Sequence, residues 1–148
     1  MIKGIHHVGI NCRDIDRMIR FYSEALGFKQ LGGGFEWRDS ETYDRIINVP
    51  GSAARGAMMQ AGDCCIELFQ YTAPPPDNDG PLKPQDRGYT HFCIEVLDIE
   101  AEFERLKAAG MQFSESAPLD ISGSKAIYGR DPEGNIIEVL QFGSTGGA

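Results

Sequence analysis

Two stretches of the chain alternate apolar and polar positions around a histidine, and each runs into apolar residues spaced three and four apart. Residues 5–12 are β-branched and alternating, which predicts a strand. Asp14 then offers an N-cap to a helix whose Ile15, Met18, Ile19, Tyr22 and Leu26 share one face, with Gly27 as its stop. Three further strands are predicted near 28–37, 55–61 and 64–71. The order recurs: a strand over 89–96, a helix capped by Asp98 that carries Ile99, Phe103 and Leu106 and stops at Gly110, then strands near 111–115, 125–130 and 135–142. The run DPEG at 131–134 reads as the turn before the last strand.

Sliding the sequence over itself turns this likeness into a repeat. A shift that lays His7 on His91 also lays Ile10 on Ile94, Asp14 on Asp98 and acidic Asp16 on Glu100. A shorter shift lays IELFQY, from Ile66, on IEVLQF, from Ile137. The difference between the shifts is extra chain in the first copy, placed by the loss of periodicity at 32–51. The expected organisation is a first module at 1–71, a proline-rich linker at 72–87, a second module at 88–142 and a flexible tail at 143–148. Each module reads βαβββ. One helix cannot cover both faces of a four-stranded sheet, so the expected fold class is α+β, with the modules paired into a cupped sheet.

Composition narrows the partners. The chain has 148 residues and a net charge of −8, which argues against nucleic acid and anionic membranes, since both call for a basic footprint. No apolar run is long enough to span a bilayer, so a cytoplasmic protein is expected. A chain of this size buries roughly 70% of its unfolded surface, so it needs no metal merely to fold. Cys12, Cys64, Cys65 and Cys93 show no zinc-knuckle spacing and read as reduced structural thiols.

The repeated polar residues are His7, Glu67, His91 and Glu138, each inside an apolar strand where an unpaired charge is costly. Two imidazoles and two carboxylates brought together would suit Zn, Ni, Co, Mn or Fe(II), with open positions for water or substrate. His6, matched by Thr90, is expected to point to the opposite face and play a structural part. Cys65 and Cys93 share the site-facing side of their strands and read as small lining groups. The LGGGF segment at 31–35 reads as a bulge or a lid. Arg38, Arg45, Arg55, Lys125 and Arg130 are the cations available to an anionic substrate.

Through GIHHVGI, FYSEALGF, GYTHFCIEV and DPEGNIIEV the chain resembles the vicinal oxygen chelate superfamily over nearly its whole length, residues 5–142. That superfamily includes lactoylglutathione lyase, methylmalonyl-CoA epimerase, extradiol dioxygenases and fosfomycin- and bleomycin-resistance proteins. The resemblance implies paired βαβββ modules, one divalent metal held by His7, Glu67, His91 and Glu138, and a homodimer acting on a small molecule. It implies a lyase or isomerase that stabilises an enediolate of its substrate by bidentate chelation, with Glu138 and its counterpart Glu67 moving the proton. An Fe(II) extradiol-type dioxygenase and a non-catalytic binding protein are the alternatives. Where lactoylglutathione lyases carry an asparagine after the first glutamate, this chain reads IELFQYTAP. Where the epimerases use a further carboxylate base, no acidic residue lies between Ile46 and Gln60.

Overall fold

The computed structural model describes residues 1–78 and 80–143. The expected tail therefore lies outside the described residues beyond Gly143, as does Asp79 of the linker. The chain divides into two compact units, Met1–Asp79 and Gly80–Ala148. Between Ala73 and His91 the described residues form only turns and bends, as the five prolines there require.

The first unit runs β1 (His7–Asn11), α1 (Ile15–Glu24), β2 (Lys29–Trp37), α2 (Glu41–Ile47), β3 (Ala53–Ala61) and β4 (Cys64–Ala73). Its sheet has the order β1-β4-β3-β2, with β1 parallel to β4 and the other pairs antiparallel. The second unit runs β5 (His91–Glu95), α3 (Ile99–Ala108), β6 (Gln112–Phe113), β7 (Leu119–Ile121), β8 (Ser124–Arg130) and β9 (Ile136–Gln141). It repeats the order as β5-β9-β8-β6, again with its edge pair, β5 and β9, parallel and the other pairs antiparallel. The fold is α+β, as the patterning implied.

In each unit one sheet face is closed by the helix. Ile15, Met18 and Tyr22 of α1 are buried with Ile66 and Leu68 of β4 and Ala57 and Met59 of β3. Ile99, Phe103 and Leu106 of α3 are buried with Ile137 and Val139 of β9. Successive strand residues point to opposite faces, so burying Ile66 and Leu68 turns Glu67 to the other side. Burying Ile137 and Val139 does the same for Glu138.

The helix entries are repeated down to single bonds. Asp14 accepts a hydrogen bond from the Arg17 amide and Asp98 from the Ala101 amide. Gln70 Oε1 accepts from the Ile15 amide at 3.2 Å, and Gln141 Oε1 from the Ile99 amide at 2.8 Å. This explains the matched glutamine of IELFQY and IEVLQF: it satisfies a donor that a helix start leaves open. Arg55 binds Asp16 through both guanidinium ends, at 2.8 and 2.9 Å, and Lys125 binds Glu100. Two of the cations expected to be free for substrate are thus engaged with the helices.

The units differ where the repeat slipped. The extra chain of the first forms α2, which the sequence pattern did not reveal because none of its residues is buried. LGGGF is a bulge within β2, where the pairing register with β3 shifts between Leu31 and Phe35. Gly34 there has φ +80, and a Cβ on it would stand 3.0 Å from the Gly56 carbonyl oxygen. The second unit adds β7, three exposed residues paired to β8 that fall between two of the predicted strands.

Candidate metal centre

The parallel strand pair at one edge of each sheet builds one imidazole–carboxylate couple. In the first unit His7 lies opposite Cys65 and Gly9 opposite Glu67, so His7 and Glu67 are diagonal neighbours on the face away from α1. His7 Nε2 is 3.0 Å from Glu67 Oε2. In the second unit His91 lies opposite Ile136 and Cys93 opposite Glu138, and His91 Nε2 is 3.4 Å from Glu138 Oε2. The two carboxylates are largely shielded, with 15% and 22% of their side-chain surface exposed, while the imidazoles keep 38% and 32%.

These distances fit two ligands on one ion. Metal bonds near 2.0–2.2 Å place cis-octahedral donors about 2.9 Å apart and tetrahedral donors about 3.3 Å apart. Imidazole nitrogen with carboxylate oxygen is also a donor set suited to zinc and its first-row neighbours. Among the described residues no three His, Cys, Asp or Glu side chains are gathered so as to hold an ion. Each unit by itself brings two candidate ligands together.

Both histidines are held from behind. His6 Nδ1 lies 2.8 Å from His7 Nδ1, with the rings edge to face, and Thr90 Oγ1 lies 3.2 Å from His91 Nδ1. This corrects the expectation that His6 points away. It precedes β1, whose first residue is His7, so strand alternation does not govern its side chain.

Tyr128 is the site residue that sequence reasoning missed. It faces Glu138 across the β8–β9 pair, and its hydroxyl is 3.2 Å from His91 Nε2. Burial, with help from the nearby Glu138 carboxylate, raises its phenol above the ordinary range, so it keeps its proton in neutral solution. Its register counterpart opposite Glu67 is Met58, so the repeat carried no signal for it. Beside Tyr128 lies a cavity of about 300 Å³ lined by Gln112, Phe113, Arg130 and Ile136. The Arg130 guanidinium donates to the carbonyls of Leu82 and Gly134 at its rim.

Cys93 sits against Glu138 as expected of a lining residue. Burial and the carboxylate push its thiol up to about 11, so it is a neutral group. The DPEGN turn is also explained: buried Asp131 accepts from the amides of Glu133 and Asn135 and from Asn135 Nδ2, which fixes the hairpin leading into Glu138. Among the described residues no helix is long and apolar enough to cross a membrane.

Known proteins share this architecture along their length. A glyoxalase family protein from Bacillus cereus superposes with a TM-score of 0.82 at 22% identity, covering 95% of each chain. Another from Enterococcus faecalis gives 0.68 at 26% identity, covering 93% of this chain and 97% of that one. Among curated sequences, a 2-epi-5-epi-valiolone epimerase from an Actinomyces species is 28% identical over 146 residues, covering 94% of this chain and 79% of that protein. A lactoylglutathione lyase from Pseudomonas putida is 26% identical over 147 residues, covering 92% and 83%. Residues 4–139 match the family model of the Glyoxalase/Bleomycin resistance protein/Dioxygenase superfamily, and the chain belongs to that superfamily.

Proposed function

We propose that the protein is a metal-dependent lyase or isomerase of a small oxygenated substrate, with His7, Glu67, His91 and Glu138 holding one divalent ion. The observation that carries this reading is the double occurrence of one geometry. Each unit places an imidazole Nε2 and a carboxylate oxygen 3.0 or 3.4 Å apart at matched points of its parallel strand pair. Relatives named as an epimerase and as lactoylglutathione lyases support chemistry that moves a proton on carbon.

A divalent ion from the zinc, nickel, cobalt, manganese and iron group would supply charge stabilisation for the oxygen that develops negative charge as the neighbouring C–H bond breaks. Glu138 accepts that proton at a carboxylate oxygen, and Glu67, its counterpart in the other unit, can return one. The Tyr128 hydroxyl, 3.2 Å from His91 Nε2, is placed to orient substrate against Glu138. The cavity beside it admits a small molecule. A homodimer working in the cytoplasm completes the proposal.

Metal analysis of the purified protein and the Glu138→Gln variant test it together. The expected result is about one ion per chain in the wild type and a loss of turnover of about 10²–10⁴-fold in a folded variant. Full activity in Glu138→Gln removes the carboxylate from its role. A chain that takes up no metal favours a binding protein over an enzyme. The tyrosine beside His91 also suits an oxidative reading with Fe(II), and oxygen consumption with catechols separates that outcome.

A further inference from the structure

We propose that His6 and Thr90 are positioning residues, each holding Nδ1 of the following histidine through a hydrogen bond that can run in either direction, so that Nε2 is kept for the metal side. The inference rests on the metal reading above. Its starting point is that the repeat places a partner at the same atom twice with unlike chemistry. His6 reaches His7 Nδ1 at 2.8 Å and Thr90 reaches His91 Nδ1 at 3.2 Å. In both couples Nε2 faces the glutamate.

The choice of partner follows from proton accounting. While Nε2 carries the proton and donates it to Glu67 or Glu138, a neutral imidazole has a bare Nδ1, and the partner must donate. Once the Nε2 lone pair binds a cation, the proton resides on Nδ1, and the partner must accept. An ammonium can only donate and an ionised carboxylate can only accept. A hydroxyl and a neutral imidazole do both. Both partners stand just before the first residue of their strand, β1 or β5, where the side chain is free to turn back beside its neighbour. A ring-packing role for His6 does not extend to Thr90, which has no ring, so the shared property is the hydrogen bond.

The test uses the full chain, zinc as the probe, and ¹⁵N NMR of the imidazoles. His6→Ala and Thr90→Val remove the partner, while His6→Thr and Thr90→Ser retain a hydroxyl. Zinc affinity should fall about 10- to 100-fold in the first two and stay near wild type in the others. In the zinc-loaded wild type His7 and His91 should bear their proton on Nδ1. In the metal-free protein, Thr90→Val should move the ¹⁵N shifts of His91 but not of His7, and His6→Ala should do the reverse. Wild-type affinity in both partner-less variants overturns the proposal. If the wild type binds no zinc, the metal reading fails instead, and the metal-free spectra decide alone: unchanged shifts overturn the positioning role and selectively changed shifts uphold it.

Discussion

The two halves of the candidate site differ at one residue whose reactivity can be measured. Glu67 lies opposite Gly9, where an added Cβ would meet only the Phe69 ring at 3.8 Å, whereas Glu138 lies opposite Cys93. Burial, followed by the Glu138 charge, raises the Cys93 thiol to about 11, so little thiolate exists at pH 8. Alkylation by iodoacetamide at that pH should therefore modify Cys64 well before Cys93, as followed by peptide mass spectrometry. Glu138→Gln removes a neighbouring negative charge, lowers the thiol pKa and should speed Cys93 modification. A Cys93 rate that ignores this substitution means the thiol does not sense the carboxylate. At the residue scale the repeat singled out the two histidines and two glutamates, and the structure sets each histidine beside the glutamate of its own unit. Reading from sequence failed for Tyr128, because Met58 stands in its place in the first unit, and for His6, because alternation was applied to a residue outside the strand.

Among the elements, α2 is a helix that patterning could not reveal and that a single carboxylate secures. Asp44 accepts from the Gly51 amide at 2.6 Å and from the Ser52 amide and hydroxyl at 2.8 and 2.6 Å, and Ser52 Oγ in turn accepts from Trp37 Nε1 at 2.8 Å. The Tyr43 ring of α2 stacks on Trp37 at 4.6 Å. A seven-residue helix without buried side chains has little packing of its own, so these bonds to the start of β3 hold it. The Ser52 hydroxyl, then the Gly51 and Ser52 amides, keep the Asp44 carboxyl below the ordinary carboxylate range. A group lowered in the folded state adds stability above its unfolded pKa and loses it as pH falls through the folded value. Trp37 is the chain's one tryptophan, so its fluorescence should hold steady from neutral pH until that acid range and then change. Asp44→Asn should show the altered emission already at pH 7. Identical spectra for variant and wild type at both pH values would detach α2 from the tryptophan. The elements α1, α3, β3, β4 and β9 were legible because each has a buried face. Leu68 and Leu106, both fully buried, should each cost about 2–5 kcal/mol when cut to alanine, read from denaturant midpoints.

At the scale of the whole molecule the proposed metal site makes a prediction about which two couples share an ion, and mixing variants tests it. The proposed four-ligand site would take one couple from each kind of unit, His7 with Glu67 and His91 with Glu138. If the couples act together, His7→Ala and His91→Ala should each sharply weaken zinc binding, since three ligands hold the ion more weakly than four. Independent couples would instead each retain their own ion in the single variants. Now let the two variants exchange subunits after gentle denaturation and refolding. If a site joins the first unit of one chain to the second unit of its twofold partner, a mixed pair has one site lacking both histidines and one with both intact. Zinc binding and turnover then return on mixing. If the couples meet within a chain, every site still lacks one histidine, and neither returns. Recovery on mixing therefore places the active centre between subunits and makes the homodimer a requirement for catalysis. Failure to recover, with both single variants inactive, places a complete centre in every chain.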